Sequence, residues 1–239
     1  MSRSEEHTSE LQSLRTISYA VSSAHFLVEQ GAEALVIACN TASALALDAL
    51  RAAVDVPVIG VIETGATAAL QSSATGDVMV IATAATVESH AYSAACRERG
   101  LRAVEKACPL LVPLVEEGWI DHPVTREVAG IYLEDLQSHT AAAGMTADTL
   151  VLGCTHYPLL RPVIEDILRE HTSGYAVRVI DSAYVTAEQV ATRLALDSSA
   201  GRNPSVRFYA TDSVAKFRAL GTRFLGRTIE SVELIDLGG

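Results

Sequence analysis

From residue 16 onward, short unbroken apolar runs alternate with stretches of helical period. Ile17, Val21, Ala24 and Val28 recur at helical spacing and stop before Gly31, which predicts a helix ended by a glycine. Residues 34–38 (ALVIA) then read as a buried strand, followed by a helix over 42–53 and a second strand from Pro57 (PVIGV). The cycle continues at 78–82 (VMVIA), 149–152 (TLVL), 177–180 (VRVI) and 206–210 (VRFYA), each run followed by a helical stretch. The long helix over 123–143 comes after a less regular segment, and residues 197–205 (DSSAGRNPS) are the clearest loop by composition. Apolar strands that do not alternate imply parallel sheets covered on both faces, so the fold class is α/β.

A faint internal repeat refines this picture. VIACNTA from Val36 echoes VLGCTHY from Val151: an apolar strand, a small residue, a Cys, then side chains that hydrogen-bond. At a similar distance after each Cys comes a run expected to be a strand ending in an acid, VIETGATAA from Val61 and VIDSAYVTA from Val179. Strand–helix units resemble one another in general, but the matched cysteines favour two similar halves facing each other across a cleft.

Cys39 and Cys154 are each expected at the carboxyl end of a strand, just before a helix, where open α/β sheets place ligands. The unpaired N–H groups and partial positive charge of the helix start are expected to lower the thiol pKa and favour thiolate. Asn40 and Thr41 after the first Cys, and Thr155 and His156 after the second, supply donors suited to a carboxylate and an amine. Cys96, in a helical run, and Cys108, flanked by apolar residues, read as buried small hydrophobes. Two cysteines so far apart with only His156 near fall short of a structural zinc set, and no CxxC suggests a redox pair. A Cys/His hydrolase leaves the second, matching Cys unexplained. Two thiols across a cleft suit inversion at carbon: one thiolate removes an α-proton from one face while the opposite thiol protonates the other.

Composition narrows the partners. The 239 residues carry a net charge of −11 with no basic block, which argues against nucleic acid or an anionic membrane as partner. No apolar run approaches the roughly 20 residues a membrane-spanning helix needs, and the polar start is no signal peptide, so a cytoplasmic protein with reduced thiols is expected. Thr83 and Thr86 follow a strand end, where hydroxyls serve either as helix caps or as substrate contacts. Glu116 and Glu117, before Gly118, read either as a solvated helix end or as a partly covered position beside the apolar VPLV. The histidines at 90, 122, 139 and 171 read as surface residues, and no glycine-rich phosphate loop is present.

ALVIACNTASALAL (residues 34–47) and LVLGCTHYPLLRPVI (150–164) resemble the two signature segments of the bacterial glutamate racemases, in the aspartate/glutamate racemase family. PVIGVIETGATAA, VIATAATVESHAY, ACPLLVPLVEEGW and FYATDSVAKFRALGTRFLG match in order, so the resemblance runs from about Thr16 to the C-terminus. It implies two pseudo-symmetric α/β lobes with the active site in the cleft between them, and neither pyridoxal phosphate nor metal. It also implies Cys39 as the base toward D-glutamate, Cys154 as the base toward L-glutamate and His156 as an aid to Cys154. Asn40, Thr41, Thr83, Thr86, Thr155 and His156 would hold the amine and carboxylates, and Glu117 is the candidate carboxylate of its pair. The product would be D-glutamate for peptidoglycan, and pairing into a homodimer is common in the family. Another acidic amino acid, such as aspartate, is the rival substrate, and a catalytically dead ligand-binding homologue is the rival class.

The resemblance has a gap. The family opens with a strand leading to an Asp-Ser-Gly-x-Gly-Gly turn and a later Pro-Tyr-Gly segment, and neither is matched here. RSEEHTSELQS, from Arg3, instead looks like the translation of a sequencing adapter. The expectation is therefore a non-native segment at 1–14, an incomplete first lobe at 15–62 and 177–239, a second lobe at 63–176, and weak or absent activity.

Overall fold

The computed structural model describes residues 3–171, 176–195 and 205–237, with the side chains of 3–13 and 171 left aside. The predicted loop at 197–205 lies outside the described residues except for Ser205.

The chain opens with α1 (Arg3–Glu29), which ends at Gly31, a residue with a φ of +88° that glycine adopts without strain. β1 (Leu35–Ile37) leads through Cys39 into α2 (Asn40–Leu45) and α3 (Leu47–Ala53), so the helix expected over 42–53 is two helices that meet at fully buried Ala46. β2 (Val58–Gly60) pairs parallel with β1 and is followed by α4 (Val61–Ser72). Val61 therefore begins a helix instead of a strand, and Glu63 is an exposed helical residue, not a strand-end acid.

The principal sheet comprises β3 (Asp77–Ala82), β4 (Arg102–Ala107), β5 (Thr149–Gly153) and β6 (Arg178–Asp181), in the order β4-β3-β5-β6 with every pair parallel. Every residue of β3 and β5 is buried, as unbroken apolar runs in a doubly covered sheet require. β4 is the strand the apolar pattern missed: Arg102, Glu105 and Lys106 interrupt its run, and it lies at the sheet edge. Its start is latched by Arg102, which donates from Nε and Nη2 to buried Asp77 at 2.7 Å, while Lys106 pairs with Asp135. α5 (Ala84–Glu88), α6 (Ala91–Glu98), α7 (Leu111–Glu116), α8 (Pro123–Ala142) and α9 (Arg161–His171) accompany this sheet. Its larger core joins Met79, Leu133, Leu150, Leu152, Tyr157 and Ile164.

β6 was expected with the first lobe, yet it hydrogen-bonds to β5 in the principal sheet. α10 (Ala183–Arg193) follows it, then β7 (Tyr209–Ala210), α11 (Val214–Leu225) and β8 (Glu233–Leu234), with β7 and β8 paired parallel. The internal repeat survives in α4 and α10. Thr64 and Thr186 are each the fourth residue of their helix, both are buried, and their hydroxyls share a 2.7 Å hydrogen bond.

Candidate active site

Both cysteines stand where the chain leaves a strand. Cys39 is the N-cap of α2, extended in backbone (φ −70°, ψ 121°) and exposed. Cys154 follows β5 directly, ahead of a 3-10 turn over Tyr157–Leu160 that opens a residue before Pro158, and is buried. The sheets that carry them are separate, β1-β2 and β4-β3-β5-β6. A cavity of about 450 Å³ lies between, with Ala38 and Asn40 on one side and Cys154, Thr155, Asp181 and Ser182 on the other.

The expected lowering of the thiol pKa does not hold for Cys154. Burial pushes it up to about 11, and Cys39 across the site adds to the rise. The N–H groups of His156 and Tyr157 and the Thr155 hydroxyl pull the other way without prevailing. The partial charge of one short turn is thus outweighed by removing the thiolate from water. Cys96 and Cys108 are fully buried, as the sequence predicts, and burial raises them to about 11 and about 12.

Two residues beyond Cys39, Thr41 meets Thr83 and Thr86. Their hydroxyls close a triangle, 2.8 Å between Thr41 and Thr83, 3.1 Å between Thr41 and Thr86, and 2.9 Å between Thr83 and Thr86. Thr83 is also the N-cap of α5 and accepts from the Thr86 N–H at 3.4 Å, so cap and site are one feature. Asn40 is buried, and its Oδ1 accepts a 2.7 Å hydrogen bond from the Tyr92 hydroxyl, which leaves the amide N–H₂ for another partner. Tyr92 was not singled out from sequence, since a Tyr within the helical run AYSAACRE carries no local mark of its role.

Around Cys154, His156 Nδ1 lies 3.8 Å from the thiol sulfur and 3.4 Å from the Thr155 hydroxyl. Its other nitrogen, Nε2, faces Glu116 Oε1 at 3.4 Å. Glu116 closes α7, whereas Glu117, favoured from sequence, caps that helix and points to solvent. Consecutive helical residues diverge by roughly 100°, so only one of the two can face His156. Lys216 holds the second oxygen of Glu116 at 2.8 Å, and with His156 it keeps that carboxyl below its ordinary value. Phe224 packs edge-on against the His156 ring, centroids 5.4 Å apart. Of the remaining histidines, His122 caps α8, His139 pairs with Asp135, and His90 lies 3.7 Å from Glu105; the His171 side chain is outside the described residues.

The family model for Asp/Glu/Hydantoin racemase matches residues 4–190. The chain belongs to that family. The match takes in most of the segment set aside at 1–14. Among racemase relatives, the chain is 48% identical to the glutamate racemase of Koribacter versatilis over 92% of its length and 81% of the relative's. It is 45% identical to that of Neisseria meningitidis, over 89% of this chain and 77% of the other. Among solved structures, a glutamate racemase isoform of Bacillus anthracis superposes with a TM-score of 0.83 at 37% identity, covering 94% of this chain and 82% of the other. The Francisella tularensis glutamate racemase in complex with D-glutamate gives 0.79 at 32% identity, covering 94% and 81%. Among the described residues, no helix of this racemase is long and apolar enough to cross a membrane.

Proposed function

We propose that this racemase interconverts L- and D-glutamate, with Cys39 and Cys154 as the two acid–base groups. What supports the reading is the arrangement of two thiols at strand ends in separate sheets, with Cys154 lining a cavity large enough for a small amino acid and Ala38 and Asn40, the sequence neighbours of Cys39, lining it too. In one direction Cys154 as thiolate takes the α-proton from L-glutamate while the Cys39 thiol donates its proton to the opposite face. The reverse reaction exchanges these roles. Each turnover leaves the two sulfurs with their protonation states swapped.

The demand on the site is large, because an amino-acid α-proton is far less acidic than a thiol. Fixed donors must stabilise negative charge that develops on the carboxylate next to the reacting carbon. Thr41, Thr83 and Thr86 supply hydroxyls and Asn40 an amide on the Cys39 side, and Thr155 and His156 do so on the other. His156, flanked by Glu116, is suited to take the Cys154 proton and raise the small thiolate fraction that a pKa of about 11 allows. The reading assigns D-glutamate to peptidoglycan supply and the reaction to the cytoplasm, where free cysteines persist. It also divides the chain into two lobes, with the crossing back after β6. Pairing into a homodimer is testable by light scattering.

Substrate choice is tested by following the α-proton signal of glutamate and aspartate in D₂O. Glutamate is expected to exchange faster by about a hundredfold, the scale of discrimination when polar groups built for one ligand meet another badly. Equal rates would overturn the substrate assignment while leaving the chemistry.

A further inference from the structure

We propose that α11 is the positioning element of the Cys154 half of the site, with Lys216 fixing the Glu116 carboxylate and Phe224 holding the His156 ring toward the thiol. The inference rests on the racemase reading and extends it to residues that touch neither substrate nor sulfur.

α11 has no buried residue, and its apolar contacts, Phe217 on Phe208 and Gly221 on Ile229, stay within the C-terminal segment. Three side chains on one helical face carry it toward α7 and the 3-10 turn. Lys216 Nζ reaches Glu116 Oε2 at 2.8 Å. Arg223 donates from Nη1 to the Val115 carbonyl at 2.8 Å and to that of Glu116 at 3.2 Å. Phe224 meets His156 edge to face. The spacing 216, 223, 224 puts these groups on one side of a helix.

The contacts form a chain that ends on the thiol: Lys216 to Glu116, Glu116 Oε1 to His156 Nε2 at 3.4 Å, His156 Nδ1 to Cys154 Sγ at 3.8 Å. His156 is a short side chain with two rotatable bonds. A carboxylate on one nitrogen and an aromatic edge against the ring leave Nδ1 facing the sulfur. Glu116 holds that geometry only while its second oxygen is fixed, and Lys216 is the ion-pair partner that does so. Glu117 and Asp212 also lie close enough to act on the Lys216 ammonium, but its hydrogen bond goes to Glu116.

The test uses the full chain as wild type, Lys216→Met, Lys216→Arg and Phe224→Leu. The rate of alkylation by iodoacetamide is read separately at Cys39 and Cys154 by peptide mass spectrometry across a pH series. Lys216→Met and Phe224→Leu are expected to slow Cys154 by about tenfold, the effect of one pKa unit on thiolate population. Cys39 should keep its rate, and Lys216→Arg should restore Cys154. Unchanged Cys154 reactivity in both variants would overturn the proposal, and so would an equal change at Cys39, which would mark a merely structural role. Exchange of the glutamate α-proton in D₂O, followed in the same samples, separates the two readings. Selective slowing of Cys154 in the two variants, beside a wild-type chain that exchanges neither enantiomer, would remove the racemase reading and leave the positioning role standing.

Discussion

The two thiols are chemically alike and physically different. Cys39 is exposed at a helix start, whereas Cys154 is buried and raised to about 11 with only a histidine and three hydrogen-bond donors around it. Wild-type Cys39 should therefore be alkylated well before Cys154, whose rate should climb with pH toward 11; a Cys154 rate already level at neutral pH would show a thiolate stabilised beyond what these groups supply. The hydroxyl triangle is the other feature that belongs to single residues. Replacing Thr83 by Ala removes both a cap and one corner of the triangle. Stability should fall by about 1 kcal/mol, the usual cost of a lost N-cap, and KM for glutamate should rise. Chemical denaturation and steady-state kinetics read the two effects separately, and an unchanged KM would take Thr83 out of the binding site.

At the scale of elements, α7 and its exit turn align the histidine's carboxylate. Gly118 sits at φ +84°, and a Cβ there would come within 2.8 Å of the Arg223 guanidinium that reaches the end of α7. Gly118→Ala is expected to cost about 1 kcal/mol from backbone strain and to loosen α11, which limited proteolysis of that helix would detect. An equally protected helix would mean that Arg223 contributes nothing to its docking. These long-range pairings explain what the sequence could and could not disclose. Fully buried strands such as β3 and β5 are legible because every residue in them faces apolar cover. β4 was hidden because its charged residues find partners on other elements, Asp77 for Arg102, Asp135 for Lys106 and the Ser93 N–H for one oxygen of Glu105. Cys39, Cys154 and their polar followers were legible from local order alone. Tyr92, Lys216 and Phe224 were not, since each matters only through a residue tens of positions away. The choice of Glu116 over Glu117 likewise depends on helix phase, which a two-residue run does not reveal.

The whole molecule carries three thiols that burial raises, Cys96, Cys108 and Cys154. A group whose pKa is higher folded than unfolded stabilises the fold below its unfolded value and loses that contribution as pH rises through the folded one. The window here runs from about 9, the ordinary thiol value, to between about 11 and about 12. Thermal unfolding followed across that range should show Tm falling, with a shallower fall in Cys108→Ala; a flat profile would contradict the burial of these thiols. The racemase chemistry is likewise a property of the whole molecule, because its two sulfurs belong to different sheets. The most direct test is proton NMR of the chain with L-glutamate and, separately, D-glutamate in D₂O, beside Cys39→Ser and Cys154→Ser. The account predicts loss of the α-proton signal from either enantiomer with the wild-type chain and racemisation abolished by either substitution. Racemisation that persists without one of the two thiols, or a folded wild-type chain that exchanges neither enantiomer, would contradict it.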